Sequence, residues 1–207
     1  VTNPPTNPAP RAAGGHLHAP SAWNVPNALT VLRLVLVPLF VWLLLREGGH
    51  TDSNRLLATA AFVVAIVTDR FDGDIARRWN LVTNFGKIAD PIADKALTGA
   101  AFLGLSYLGE LPWWVTIVVM VREWGVTALR FWVIRHGVMP ASRGGKLKTV
   151  LQAIGLGLYL LPWQEVAIVH WTAMIIMAAA VLVTIVTGLD YVGRALRLRS
   201  AAKRPLP

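Results

Sequence analysis

The chain has 207 residues, of which 55% are apolar and only 15% charged, with nine Trp and a mean hydropathy of +0.52. That balance excludes an ordinary soluble domain of this length and implies an integral membrane protein. The net charge of +9 does not indicate nucleic acid, because Lys and Arg gather at the ends of apolar runs, as in loops held against an anionic leaflet. No Cys is present, which removes disulfides and thiolate metal ligands.

Residues 1–22 contain Pro4, Pro5, Pro8, Pro10, Gly14, Gly15 and Pro20 without hydrophobic periodicity, and are expected to form a disordered cytoplasmic tail. They do not read as a signal peptide, since the first apolar run continues to spanning length. Apolar runs near the roughly 20 residues needed to cross a bilayer follow at Asn27–Leu45, Asn54–Arg77, Pro91–Leu108, Pro112–Ile134, Lys148–Leu161 and Val166–Gly193. The fifth is short unless it reaches back toward Gly144 or past Pro162. The expected fold is all-α: a catalytic domain of six transmembrane helices over 23–199, joined by short breaks, with a basic cytoplasmic tail at 200–207.

Basic residues sort to one side. Arg77, Arg78 and Lys87 follow span two, Arg135, Arg143, Lys146 and Lys148 follow span four, and Arg194, Arg197, Arg199, Lys203 and Arg204 follow span six. The other side has only Arg46 and Arg55. Both termini and the loop after span two are therefore expected in the cytoplasm, in a multi-pass protein of the cell membrane. Trp113, Trp114, Trp163 and Trp171 suit the opposite interface, and the tail after Arg194 suits anchorage to anionic lipid.

Within this apolar frame stands Asp69-x-x-Asp72-Gly73-x-x-Ala76-Arg77, then eight residues, then Gly86-x-x-x-Asp90-x-x-x-Asp94. A carboxylate at membrane depth costs about 2.5–3.5 kcal/mol on insertion scales and persists where it faces a cavity and holds something positive. Asp69 and Asp72 share a helical face with Ala76, Asp90 and Asp94 share a face of the next span, and an antiparallel pair brings all four to one depth. Asp74 falls on another face. All-oxygen ligation suits Mg²⁺ or Mn²⁺, and four carboxylates can hold two ions, which together clamp a diphosphate. Gly73 leaves room for a ligand to approach, Ala76 keeps the face thin, and Arg77 can fork onto phosphate. Single aspartates here would read as helix caps or as partners of Arg70, Arg77, Lys87 and Lys95; four at this spacing do not.

The string from Asp69 to Asp94 resembles the signature of the CDP-alcohol phosphotransferase family. That resemblance implies a six-helix membrane enzyme that releases CMP from a CDP-linked donor and forms a phosphodiester, and it implies homodimerisation. It makes Asp69, Asp72 and Asp90 metal ligands and Asp94 both ligand and general base, with Gly73, Ala76 and Arg77 meeting the cytidine and diphosphate. Proton removal by a carboxylate is what an alcohol nucleophile needs at neutral pH.

Further segments resemble the branch of the family that makes phosphatidylglycerophosphate: Asn24-Val25-Pro26-Asn27-Ala28-Leu29-Thr30 with Arg33 and Pro38, Asp90-Pro91-x-Ala93-Asp94-Lys95, Arg122-Glu123 with Leu129-Arg130, and Gly145-Lys146-x-Lys148-Thr149-x-x-Gln152. The implied substrates are CDP-diacylglycerol and sn-glycerol 3-phosphate. Arg122, Arg130, Lys146 and Lys148 form a candidate site for the acceptor phosphate, with leaflet anchorage as the alternative for the lysines and pairing with Glu123 as the alternative for Arg122. Asn27 and Thr30 are candidates for the cytidine, with a helix cap as the alternative for Asn27. Inositol phosphate, or phosphatidylglycerol as in a cardiolipin synthase, remains an alternative acceptor, because no spacing distinguishes the three. A cation channel fits poorly, since its acidic residues would line a pore without an adjoining Arg77. A catalytically dead scaffold has no support from a motif that is complete.

Overall fold

The computed structural model describes residues 25–79, 83–133 and 143–202, and within these the side-chain surroundings of residues 26, 72–78, 84, 85, 87, 88, 130–133, 143, 144 and 198–202, among them Asp72, Gly73, Ala76, Arg77, Lys87 and Arg130, lie outside the described set. The described residues form six α-helices: α1 (Val25–Leu45), α2 (Asp52–Arg78), α3 (Asn84–Tyr107), α4 (Trp113–Val133), α5 (Arg143–Leu160) and α6 (Ala167–Ala202). A short 3-10 turn at Arg46–Gly49 joins α1 to α2, with Glu47 and Gly48 at positive φ. No strand occurs among the described residues, so the all-α expectation holds there. Both expected tails fall largely outside the described residues, and the C-terminal one begins inside α6.

Each helix coincides with one of the expected apolar runs, and the differences lie at the ends. α3 starts seven residues before Pro91 because Thr83 caps it, its hydroxyl accepting the Gly86 N–H at 3.0 Å. α5 reaches back to Arg143, and α6 runs to Ala202 because Arg194–Ala202 holds strong helix formers and no breaker.

Among the described residues, two helices are long and apolar enough to cross a membrane by length and composition, at Asn27–Gly49 and Ala167–Arg197. The other four are broken by charge: Asp69, Arg70 and Asp72 in α2, Asp90, Asp94 and Lys95 in α3, Arg122, Glu123 and Arg130 in α4, and Arg143, Lys146 and Lys148 in α5. Asp69, Asp90, Asp94, Arg122, Glu123 and Lys148 among these belong to the candidate site described below, so part of the hydropathy deficit comes from the site.

The core runs along α1, α2 and α3 through Phe40, Leu44, Phe62, Leu97, Phe102 and Leu105, all essentially fully buried. Phe40 and Phe62 meet with ring centroids 5.7 Å apart. α5 and α6 form a second close pair, with α4 against α6 and α2 against α5. One end of the bundle is tied by Arg55. This buried guanidinium pairs with Glu110, donates to the Tyr159 carbonyl at 2.6 Å and reaches the Leu160 carbonyl at 3.3 Å, satisfying the last turn of α5. The Thr59 hydroxyl donates to the same Leu160 carbonyl at 2.9 Å. The aspartates gather at the opposite end.

Candidate active site

Three polar residues of α1, at spacings of three, face the aspartate helices: Asn27, Thr30 and Arg33, all buried. Polar groups buried in an apolar helix need partners, and each has one. Arg33, with none of its surface exposed, forms an ion pair with Asp69 of α2. The Thr30 hydroxyl donates to Asp90 Oδ1 of α3 at 2.6 Å. The Asn27 Oδ1 accepts from the Thr83 hydroxyl at 2.8 Å, so Asn27 supports the cap of α3. Through these contacts α1 orients carboxylates on two other helices.

Gly86 sits where these groups converge. A Cβ there would lie 3.3 Å from Asn27 Oδ1, 3.4 Å from Thr83 Oγ1 and 3.6 Å from Asp90 Oδ2. Asp90 is one helical turn later, so glycine lets the α3 backbone approach α1 beside a carboxylate. Asp94, half-buried one further turn along, has Asp69, Arg33, Glu123 and Lys148 as its charged neighbours. It thus lies within electrostatic range of both the aspartate group and a second cluster.

That cluster is built by α4, α5 and α6. Lys148, only 4% exposed, pairs with Glu123, and Arg122 Nη1 reaches the same carboxylate oxygen at 3.1 Å. Arg122 Nη2 donates to the Thr187 hydroxyl at 3.1 Å, and the guanidinium lies 5.9 Å from the Tyr191 ring centroid. Gly188 makes room for the arginine stem, since a Cβ there would lie 3.1 Å from Arg122 Cγ. Nearby, Gln152 donates to Thr184 at 3.2 Å. Lys146 is exposed, two residues before Lys148 and so on another helical face.

The structure therefore brings together Asn27, Thr30, Asp69, Gly86, Asp90 and Asp94 as one group, and Arg122 and Lys148 as an adjoining one. Arg33 was visible in the sequence only within the quoted resemblance; its signal was the spacing of Asn27, Thr30 and Arg33 along one side of an apolar helix. Thr187 carried no comparable signal, because its partner Arg122 is distant in sequence; Glu123 was visible as the neighbour of Arg122, but its pairing with Lys148 on another helix was not. The donor set fits a hard divalent cation in kind, being carboxylate throughout. Asp69, Asp90 and Asp94 do not by themselves close a three-ligand cage, and the remaining ligand expected, Asp72, lies outside the described residues.

Carboxylates on two helices thus stand near buried cations on two others. A family model described as CDP-alcohol phosphatidyltransferase matches residues 23–186, and the chain belongs to that family. Among curated relatives, the chain is 55% identical over 174 residues to a Mycobacterium tuberculosis protein named "Probable phosphatidylglycerophosphate synthase", a match covering 84% of this chain and 82% of the relative. It is 38% identical to the Bacillus subtilis protein named "CDP-diacylglycerol--glycerol-3-phosphate 3-phosphatidyltransferase", over 82% of this chain and 93% of that one. The Escherichia coli protein of the same name is 34% identical over 84% of this chain and 95% of its own.

Proposed function

We propose that this protein transfers the phosphatidyl group of CDP-diacylglycerol to sn-glycerol 3-phosphate, giving phosphatidylglycerophosphate and CMP. The observation that carries this is Asp94, which belongs to the aspartate group yet has Lys148 and Glu123 of the cationic cluster among its charged neighbours. A base on the acceptor hydroxyl has to stand between the donor's diphosphate and the acceptor's phosphate. The names borne by the relatives agree with both substrates.

In this reading Asp69, Asp72, Asp90 and Asp94 hold Mg²⁺ or Mn²⁺, two ions by the number of carboxylates. Bound there, divalent cations offset the charge of the diphosphate and stabilise the leaving oxygen. Gly73 and Ala76 admit the donor, Arg77 forks onto its phosphate, and Asn27 and Thr30 border the cytidine side. Arg33 and Thr30 hold Asp69 and Asp90 in place, so little reorganisation is needed when the donor arrives. Asp94 takes the proton of the acceptor's primary hydroxyl as its oxygen attacks the phosphorus bearing diacylglycerol. The new P–O bond forms as the bond to CMP breaks. Arg122, Arg130 and Lys148 hold the acceptor's phosphate, Arg as a planar fork and Lys as a point charge, while Lys146, exposed on another face, serves the leaflet anchorage.

We further propose that all six helices span the cell membrane with both termini and the site on the cytoplasmic side. The distribution of Lys and Arg supports this orientation. A two-chain donor then reacts without leaving the bilayer, through a groove beside α2 and α3. The working unit is a homodimer, in keeping with the family. CMP release by detergent-purified protein with each acceptor in turn tests the assignment; absence of turnover with glycerol phosphate would overturn it.

A further inference from the structure

We infer that Glu123 is a positioning residue for the acceptor, fixing Lys148 and Arg122 as one preorganised anion-binding unit; the inference rests on the acceptor site proposed above. Lys148 is 4% exposed and Arg122 has 11% of its side-chain surface exposed. Cations this far from water need a counter-charge before any substrate arrives. Glu123 supplies it to both, and both meet the same oxygen, Oε1. One carboxylate thereby ties α4 to α5. Arg122 is held from behind by Thr187 and Tyr191 of α6, so three helices fix a single cationic pair.

Charge accounting gives the unit a function. Two cations and one carboxylate leave a net positive charge, which attracts phosphate, whereas a fully neutralised set would not. Arg122 Nε is buried without a hydrogen-bond partner among the described residues, so the guanidinium retains donor capacity. Asp94 has both Glu123 and Lys148 among its charged neighbours, so the unit lies within electrostatic reach of the proposed base. Glu123 acts through the cations and touches no reacting atom.

The sign of its effect separates two roles. If Glu123 merely competes with phosphate for the same cations, its neutralisation tightens acceptor binding. If it positions them, its removal lets Lys148 swing free and weakens binding. The experiment measures KM for sn-glycerol 3-phosphate and for CDP-diacylglycerol in Glu123→Ala and Glu123→Gln, with Tm in detergent as a check on folding. Glu123→Ala is expected to raise the acceptor KM by at least about tenfold while the donor KM stays within about twofold. Glu123→Gln keeps an oxygen that accepts from both cations, and is expected to recover part of that loss.

An unchanged or lowered acceptor KM in both variants overturns the inference. So does a joint rise of donor and acceptor KM with a fallen Tm in the isosteric Gln variant, which would make Glu123 a general structural residue. Wild-type turnover with a different phosphorylated alcohol overturns the acceptor assignment alone, and the same comparison of variants is then read on that acceptor. No wild-type turnover with any acceptor overturns both.

Discussion

Replacing Gly86 by Ala should separate stability from activity. Ala is favoured over Gly inside a helix by about 0.5–1 kcal/mol, and Gly86 lies within the first turn of α3. Against that gain, the new methyl would stand 3.3 Å from Asn27 Oδ1 and 3.4 Å from Thr83 Oγ1, so each must retreat by a few tenths of an ångström. Neither is free to do so cheaply. Thr83 accepts the Gly86 N–H at 3.0 Å while donating to Asn27 at 2.8 Å, and backing away loosens both bonds. Overpacking of this kind costs about 1–3 kcal/mol, so the net change in stability should be small, roughly 0–2.5 kcal/mol unfavourable. For a chain of this size that is a loss of no more than about 10 °C in Tm. Activity should suffer more, because the displaced groups frame Asp90, whose Oδ2 lies 3.6 Å from the same methyl. Misplacement of a reacting array by about 1 Å costs on the order of 100-fold, so a shift of a few tenths should lower kcat/KM by about tenfold. The assay pairs CMP release with thermal unfolding in one detergent. Full activity with a normal Tm would refute the claim that Gly86 makes room at the site. A collapse of Tm with activity merely following it would make the glycine a folding residue.

Other substitutions probe separate parts of the molecule. Asp94→Asn should abolish turnover while leaving donor binding largely intact, as measured by CDP-diacylglycerol-dependent protection in thermal unfolding; parallel loss of metal binding and turnover would make Asp94 chiefly a ligand. Lys148→Ala should raise the acceptor KM at least about tenfold and leave the donor KM nearly unchanged, since it removes a buried cation from the acceptor cluster alone. Arg55→Met should behave oppositely: breaking a buried pair costs about 3–5 kcal/mol, so Tm should fall sharply, yet kcat/KM well below Tm should hold because Arg55 lies at the far end of the bundle. Chelation should remove activity reversibly, with Mg²⁺ or Mn²⁺ restoring it and Ca²⁺ restoring it less well, given the different geometry that each ion demands.

The helices and the aspartate motif were legible in the sequence because both rest on local rules: apolar runs of spanning length, and carboxylates spaced three and four apart. The start of α3 was not, because Asn84–Asp90 is too polar for a hydropathy reading, and the Thr83 hydroxyl that caps it is recognised only with its acceptor role in view. The pairings that shape the site were also hidden. Arg33 with Asp69, Thr30 with Asp90 and Lys148 with Glu123 each join different helices, and no spacing within one helix reveals them. Lys146 and Lys148 look alike as neighbouring cations in the sequence, yet two residues apart on a helix they lie on different faces, and in the structure one is exposed and the other buried. Pairing of Arg122 with the adjacent Glu123 is legible in the sequence, and the contact is present, shared with Lys148.

The most direct test of the proposed chemistry is CMP release by purified protein with CDP-diacylglycerol and Mg²⁺ or Mn²⁺, offered sn-glycerol 3-phosphate, inositol phosphate or phosphatidylglycerol, with Asp94→Asn as control. Turnover with glycerol phosphate alone, lost in the variant, is the expected result. Turnover with another acceptor in its place would contradict the assignment of the Arg122 and Lys148 cluster to glycerol phosphate, and turnover retained by Asp94→Asn would contradict the base.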